Sequence, residues 1–331
     1  MNPRQGALRL LLLGAILALA LIVSIRLGAV TLSVREILDA ARGIGDPTSV
    51  AIVQRLRLPR AVQAALVGGA LGVSGATFQA LLRNPLAEPY ILGISGGAAI
   101  GAVSAVVLGW AAAAPWSLPV AAFAGALLAI LLVLRIAASV GRALDTRILL
   151  LAGVVVGAFF NACILLALVL ADAESFRSAI FWMMGSLATA TWGSTAVLTL
   201  YLLPSLLLLL ALARPLNLLA IGEETATHLG TRVERTKLLA YGTASLLTAA
   251  AVAVSGIIGF VGLVIPHMIR LLWGSNYRFL LPASALLGAA FLVLADTLAR
   301  VAAAPAELPV GVVTAFVGVP VFVWLLRRRV A

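Results

Sequence analysis

The sequence predicts an all-α, polytopic membrane protein built as one transmembrane domain over residues 1–331. Three observations carry that prediction. Hydrophobic side chains make up 63% of the chain and charged ones 11%, far more apolar material than a soluble core takes up. The apolar runs are about 20 residues long, the length a helix needs to cross about 30 Å of hydrocarbon. They also lack the strict alternation of a membrane β-barrel.

About ten runs qualify as spans: Leu8 to Val30, Ala61 to Leu82, Ile91 to Ala111, Leu118 to Ala138, Ile148 to Ala171, Thr195 to Ala213, Leu238 to Val254, Ile257 to Trp273, Phe279 to Ala299 and Val310 to Leu326. The first is too long for the apolar region of a signal peptide and has no clear polar cleavage zone, so it reads as a spanning helix. An even count puts both termini on one side. Arg4, Arg9 and the Arg327-Arg328-Arg329 run mark that side as the cytoplasm. Arg83, Arg135, Arg142, Arg147, Arg270 and Arg278 then also fall inside. Arg55, Arg57, Arg60 and Arg300 fall outside, where insertion does not favour arginine. One explanation is a soluble partner with acidic residues, because an arginine fork suits carboxylates. The alternatives are snorkelling, or an Asp296–Arg300 pair one helical turn apart.

Between the second and third runs, Arg83-Asn84-Pro85-Leu86-Ala87-Glu88-Pro89-Tyr90 is a turn punctuated by two prolines. It leads into Gly93, Gly97 and Gly101, spaced by four, a stripe that admits a neighbouring backbone; Gly68, Gly72 and Gly75 do the same in the second run. Asp145-Thr146-Arg147 makes a short turn before the fifth run. Ser178 to Leu187 is too short to span and reads as an interfacial helix on the outer face. Gly256, Gly259 and Gly262 before Pro266-His267 make the eighth run short and broken, and irregular backbone at that depth must be shielded by protein or line a water-filled path. Pro320 is expected to kink the last helix.

The longest polar interruption is Arg214 to Lys237. Pro215 can begin a helix, Gly222 and Gly230 can each end one, and Glu223-Glu224 suit the positive end of a second helix's dipole. Two short helices at a sharp angle follow, forming a cytoplasmic docking surface. An ordinary interhelical loop is the alternative.

The chemistry that is missing matters as much. Lysine occurs once, at Lys237, with no glycine-rich loop before it, so the chain has no phosphate cradle of the P-loop kind. One cysteine, Cys163, and two distant histidines, His228 and His267, give no disulfide framework, no metal site and no hydrolase constellation. His267 reads as a structural hydrogen-bonder. The net charge of +11 is explained by anionic lipid and not by nucleic acid. A proton-coupled carrier would place ionisable groups at mid-helix. The mid-helix polar residues here, Gln63, Gln79 and Asn161, are neutral and can bond helix to helix. Energy is therefore expected from another chain.

Several motifs together resemble the FecCD-type permeases of binding-protein-dependent ABC importers. They are Arg57-Leu58-Pro59-Arg60, Arg83-Asn84-Pro85-Leu86-Ala87-Glu88-Pro89 with Leu92-Gly93-Ile94-Ser95-Gly96-Gly97, Gly222-Glu223-Glu224 with Leu229-Gly230, Gly259-Phe260-Val261-Gly262-Leu263-Val264-Ile265-Pro266-His267 with Arg270, and Glu307-Leu308-Pro309-Val310-Gly311. The resemblance covers nearly the whole chain. It implies a ten-helix, type II importer permease of the bacterial inner membrane that pairs with a second copy and has no catalytic residue or cofactor of its own. ATP and Mg would sit on two cytoplasmic ATPase subunits gripping Asn217, Gly222, Glu223, Glu224, Leu229 and Gly230. A periplasmic substrate-binding protein would dock on Arg57, Arg60 and Arg300, and Asp145-Thr146 would correspond to a cytoplasmic gate. Transport would run by alternating access. The resemblance leans to haem or another iron chelate as cargo, with cobalamin as the alternative; a proton-coupled carrier and a non-transporting scaffold are the rivals from other classes.

Overall fold

In the computed structural model, which describes residues 3–28, 32–140 and 145–330, the chain is helical almost throughout, and no strand occurs among the described residues. The helices in order are α1 (Pro3–Arg26), α2 (Val34–Ala41), α3 (Pro47–Ala51), α4 (Leu58–Leu81), α5 (Ile94–Val107), α6 (Trp110–Ala113), α7 (Ser117–Val140), α8 (Thr146–Leu170), α9 (Ala173–Met183), α10 (Trp192–Ala211), α11 (Ala213–Ile221), α12 (Glu223–His228), α13 (Val233–Ser255), α14 (Val261–Trp273), α15 (Tyr277–Val301) and α16 (Val310–Val330). A π-helical stretch, Ile52–Arg57, fuses α3 to α4, and a 3-10 turn, Pro89–Leu92, precedes α5.

All ten predicted runs are present. Seven helices, α1, α4 with its extension, α7, α8, α10, α13 and α15, are long and apolar enough to cross a membrane. The shorter apolar helices α5 and α14 take the third and eighth runs, and α16 takes the tenth.

Helix α4 is the centre of the bundle, packed against α10, α13, α14 and α15 and almost wholly buried from Val67 to Leu81. Glycine makes that position accessible. A Cβ on Gly68 would overlap the Gly288 carbonyl of α15, one on Gly72 the Ser284 carbonyl, and one on Gly75 the Gly262 carbonyl of α14. Gly97 and Gly101 of α5 lie in the same way on Gly125 and Ala121 of α7. Around this centre, α1, α8 and α10 present exposed Leu11, Val154, Phe159 and Leu207, the mark of faces that meet lipid or another chain. Gln63 donates to the Val254 carbonyl at 3.0 Å and accepts from Ser194 at 2.6 Å, joining α4, α13 and α10. Gln79 donates to Leu263 at 3.2 Å and accepts from Arg270 at 2.9 Å, joining α4 to α14.

Several expected boundaries move. Gly93 is not part of the glycine stripe: it has φ +77° and turns the chain into α5, a conformation glycine adopts without steric cost. The interfacial helix is α9, at 173–183, because the Asp172 carboxylate accepts the backbone N–H groups of Glu174 and Ser175 and starts it early. Ile257–Phe260 is not helical, so the eighth helix begins at Val261. It runs unbroken through Pro266, as α16 does through Pro320. His267 is fully buried with its ring 6.4 Å from that of Phe322. Arg57 and Arg60 lie on the continuous helical rod Pro47–Leu81. Val30 and Arg142 lie outside the described residues.

Candidate functional site

The polar chemistry gathers at the two ends of the bundle. At one end, α11 follows α10 across the single residue Leu212, and α12 follows α11 across Gly222. The two predicted short helices are therefore present, with α11 starting two residues before Pro215. Leu216, Leu219 and Ala226 are buried and anchor the pair, whereas Ile221, Glu224, His228, Leu229 and Gly230 are exposed. Gly230 has φ +80° and ends α12 with the Thr231 N–H on the Ala226 carbonyl and its own N–H on Thr227. The result is a small convex surface carrying acids and two exposed aliphatic side chains.

Asn217 reaches from α11 to the start of α15. Its Oδ1 accepts the Tyr277 N–H at 2.9 Å, one of the donors a helix N-terminus leaves unpaired, and its Nδ2 donates to Asn276 at 3.3 Å. Asn276 itself caps α15 at Arg278. Asn217, Arg83, Arg270 and Tyr277 line a polar cavity of about 500 Å3 at this end. Glu223 forms an ion pair with Lys237 of α13 at 2.6 Å, and the lysine is buried.

The Asp145–Thr146 turn opens onto the same end. Asp145 caps α8, accepting the N–H groups of Arg147 at 2.8 Å and Ile148 at 3.3 Å. Those two backbone bonds, with smaller help from Lys237 and Arg147, hold its carboxyl below the usual range. Thr146 donates to the Leu81 carbonyl at 3.2 Å and so fixes the turn to the end of α4.

At the opposite end, Arg57, Arg60 and Arg300 do come together, but each is engaged within the chain. Arg60 takes both oxygens of Asp296, at 2.9–3.1 Å, and both of Glu307, at 2.9 and 3.1 Å. Arg57 donates to the carbonyls of Ile25 and Arg26, and Arg300 to those of Ser24 and Leu27. These are carbonyls at the C-terminal end of α1, which its own helix leaves without donors, so two guanidinium groups close that end. The Asp296–Arg300 pair is also present, as a 3.2 Å charge contact without hydrogen-bond alignment at Nε. Of the outward arginines, Arg55 alone is plainly exposed.

One constellation escaped the sequence reading. Glu88 accepts the Phe260 N–H at 2.8 Å, while the Tyr90 hydroxyl both donates to the Ile258 carbonyl at 3.0 Å and accepts its N–H at 3.2 Å. Phe260 has φ +69°, a strained value for a residue with a side chain. The Glu88-Pro89-Tyr90 turn thus supplies the polar partners that Ile257–Phe260 needs as irregular backbone at depth. The start of α16 is tied to the same region, with the N–H groups of Val310 and Gly311 on the carbonyls of Gly185 and Met184. Beside it, Met183, Met184, Phe260, Phe316 and Val319 border an open apolar groove of about 630 Å3. The detectable signal was a glutamate between two prolines, which is costly in an apolar setting unless it has a partner.

A ten-run helical bundle with an apolar groove, a paired-helix surface at one end and an arginine cluster at the other is the architecture of a membrane transport subunit. Comparison with known proteins makes this specific. The FecCD transport family model matches residues 16–328, and the chain belongs to that family. It is 44% identical over 289 residues to an uncharacterised ABC transporter permease protein, YvrB, of Bacillus subtilis strain 168, covering 87% of this chain and 82% of the relative. It is 42% identical over 327 residues to the vitamin B12 import system permease protein BtuC of Escherichia coli O17:K52:H18, covering 99% and 97%. A solved inward-facing transporter described as of the metal-chelate ABC type superposes with TM-score 0.88 at 32% identity, covering 96% of this chain and 98% of that one. PsaBC from Streptococcus pneumoniae, at TM-score 0.59 and 17% identity, shares the fold. The chain is therefore a multi-pass ABC importer permease with the type II fold.

Proposed function

We propose that this chain forms the membrane path for a large, rigid metal chelate, working as a pair of copies with two ATPase subunits at the α11–α12 end and a substrate-binding protein at the arginine end. Both termini would then face the cytoplasm, and the chain would perform no covalent chemistry. The observation that carries the reading is the pairing of an exposed two-helix surface with an apolar groove of about 630 Å3 in a chain similar over its whole length to a vitamin B12 permease. Cobalamin is the cargo this favours over haem and ferric siderophores, because a relative similar over the whole chain is a vitamin B12 import permease. The groove's methionine and aromatic lining suits a large apolar face.

The test is reconstitution with the neighbouring ATPase and candidate binding proteins. Uptake of labelled cobalamin into proteoliposomes that follows ATP hydrolysis supports the reading. Uptake of haem alone would reassign the cargo, and transport under a proton gradient without an ATPase would overturn the importer reading altogether.

A further inference from the structure

Lys237 is the chain's one lysine, and its placement is costly: it is 4% exposed, on the second turn of α13, so its charge is taken out of water. Its ammonium lies 2.6 Å from Glu223 Oε1, on the first residue of α12. It shares a small cavity with Thr146, Leu81, Leu149 and Tyr241, so it stands between the second short helix and the turn that opens α8. That turn is fixed on its other side by Thr146 donating to Leu81. The ammonium end of this pair is shielded from water and the carboxylate end is 35% exposed, so displacing Glu223 takes a close counter-charge from a buried cation.

We propose that Lys237 is a positioning residue that ties α12, through Glu223, to the Asp145–Thr146 turn, so that movement of the paired helices is passed to that turn. The inference rests on the proposed function for its purpose, though not for the linkage itself. Its site is a junction of three elements: α12 holds the carboxylate, α13 the ammonium, and α8 begins against the same cavity. The basic group facing the turn from α8 itself is Arg147, and the acid is Asp145.

Two measurements test it. In the reconstituted complex, Lys237→Met should keep ATP hydrolysis but lower cargo uptake per ATP at least tenfold. Methionine fills the space of the lysine stem, and the Glu223 carboxylate it leaves behind is 35% exposed and can be hydrated, so a purely structural role predicts a lower thermal midpoint with uptake per ATP unchanged. Lys237→Arg should restore uptake per ATP to within about twofold of the parent, because the charge is kept. Unchanged coupling in Lys237→Met, or no rescue by arginine, would overturn the proposal. In detergent without any partner, a spin label at Arg147→Cys in a Cys163→Ser background should become more mobile with Lys237→Met and with Glu223→Gln. A label indifferent to both overturns the linkage. A responsive label in a protein that shows no ATP-driven uptake would keep the linkage and sink the importer reading instead.

Discussion

Arg60 grips Asp296 with Nε and Nη2 at 2.9–3.1 Å, across 236 residues of sequence, and turns its remaining nitrogen to Glu307. The pair fastens the start of α4 to the end of α15, and Arg300 adds a second cation to the same carboxylate. Asp296 is fully buried, and among the described residues its charge is met by the two guanidinium groups. Removing it leaves Arg60 with Glu307 and takes from Arg300 the carboxylate it pairs with, and breaking a buried pair in this way costs about 3–5 kcal/mol. Asp296→Asn should therefore lower the thermal midpoint of the detergent-solubilised protein by several degrees, with the loss largest among substitutions at this end. A midpoint within one degree of the parent would show that the cluster contributes little.

Glu307 holds the exposed side of the same arginine, with its own side chain 44% exposed. Its ion pair is of the solvent-accessible kind, and losing it should cost under about 1 kcal/mol. In the proposed complex, Glu307 occupies the guanidinium edge that a partner's carboxylate would need, so it competes with docking. Glu307→Gln should tighten binding of the substrate-binding protein by roughly fivefold, the equivalent of about 1 kcal/mol. The gain should shrink as salt rises. Weaker binding measured by surface-immobilised titration would mean that Glu307 assists docking or that Arg60 has only a structural part in it.

These contacts show where sequence reading stopped. The ten runs were legible because about 20 apolar residues in a row have one stable use, and the two short helices because Gly222, Gly230 and the Glu223-Glu224 pair mark their ends locally. The glycine stripes at Gly68/Gly72 and Gly97/Gly101 were legible as close-packing faces, but not which helix each would meet. The engagement of Arg57 and Arg300 with the end of α1 was out of reach, because it depends on a helix C-terminus lying beside residues more than 30 positions away. Glu88 was seen only as part of a turn. Its partner Phe260 is 172 residues on, and a backbone N–H has no signature in sequence. Two local signals before α4 also lie in the sequence: Ser33 with Glu36 forms the capping box that starts α2, and Asp46-Pro47 starts the helical extension of α4.

Asp145 gives a prediction in pH. Its carboxyl is held below the usual range chiefly by the backbone N–H groups of Arg147 and Ile148. A carboxyl depressed on folding contributes stability that is complete above its unfolded value, near 4, and is lost as pH falls through the lower folded value. Asp145→Asn keeps a side-chain acceptor but does not titrate. The stability difference between parent and Asp145→Asn should be constant from pH 8 to about 5 and shrink below about 4. A difference that grows on acidification would reverse the sign and remove the cap as its cause.

Asn217 joins α11 to the start of α15 through its Oδ1, which takes the Tyr277 N–H, and its Nδ2, which donates to Asn276. From there the Tyr277 hydroxyl accepts from Arg270 at 3.4 Å, and Arg270 donates to Gln79 on α4, so a continuous polar path runs from α11 to the centre of the fold. Asn217→Ala deletes the acceptor of the Tyr277 N–H while the Asn276 cap stays in place, and should cost about 1 kcal/mol, the usual net loss of one hydrogen bond. Its larger effect should be on coupling: in the reconstituted complex, uptake per ATP should fall severalfold while hydrolysis continues. Asn217→Asp retains an acceptor and places a negative charge at the positive end of α15, so it should behave close to the parent in both respects. If alanine and aspartate lower coupling equally, the residue acts through the ATPase surface and not through Tyr277. If neither changes it, the polar path carries no part of the movement.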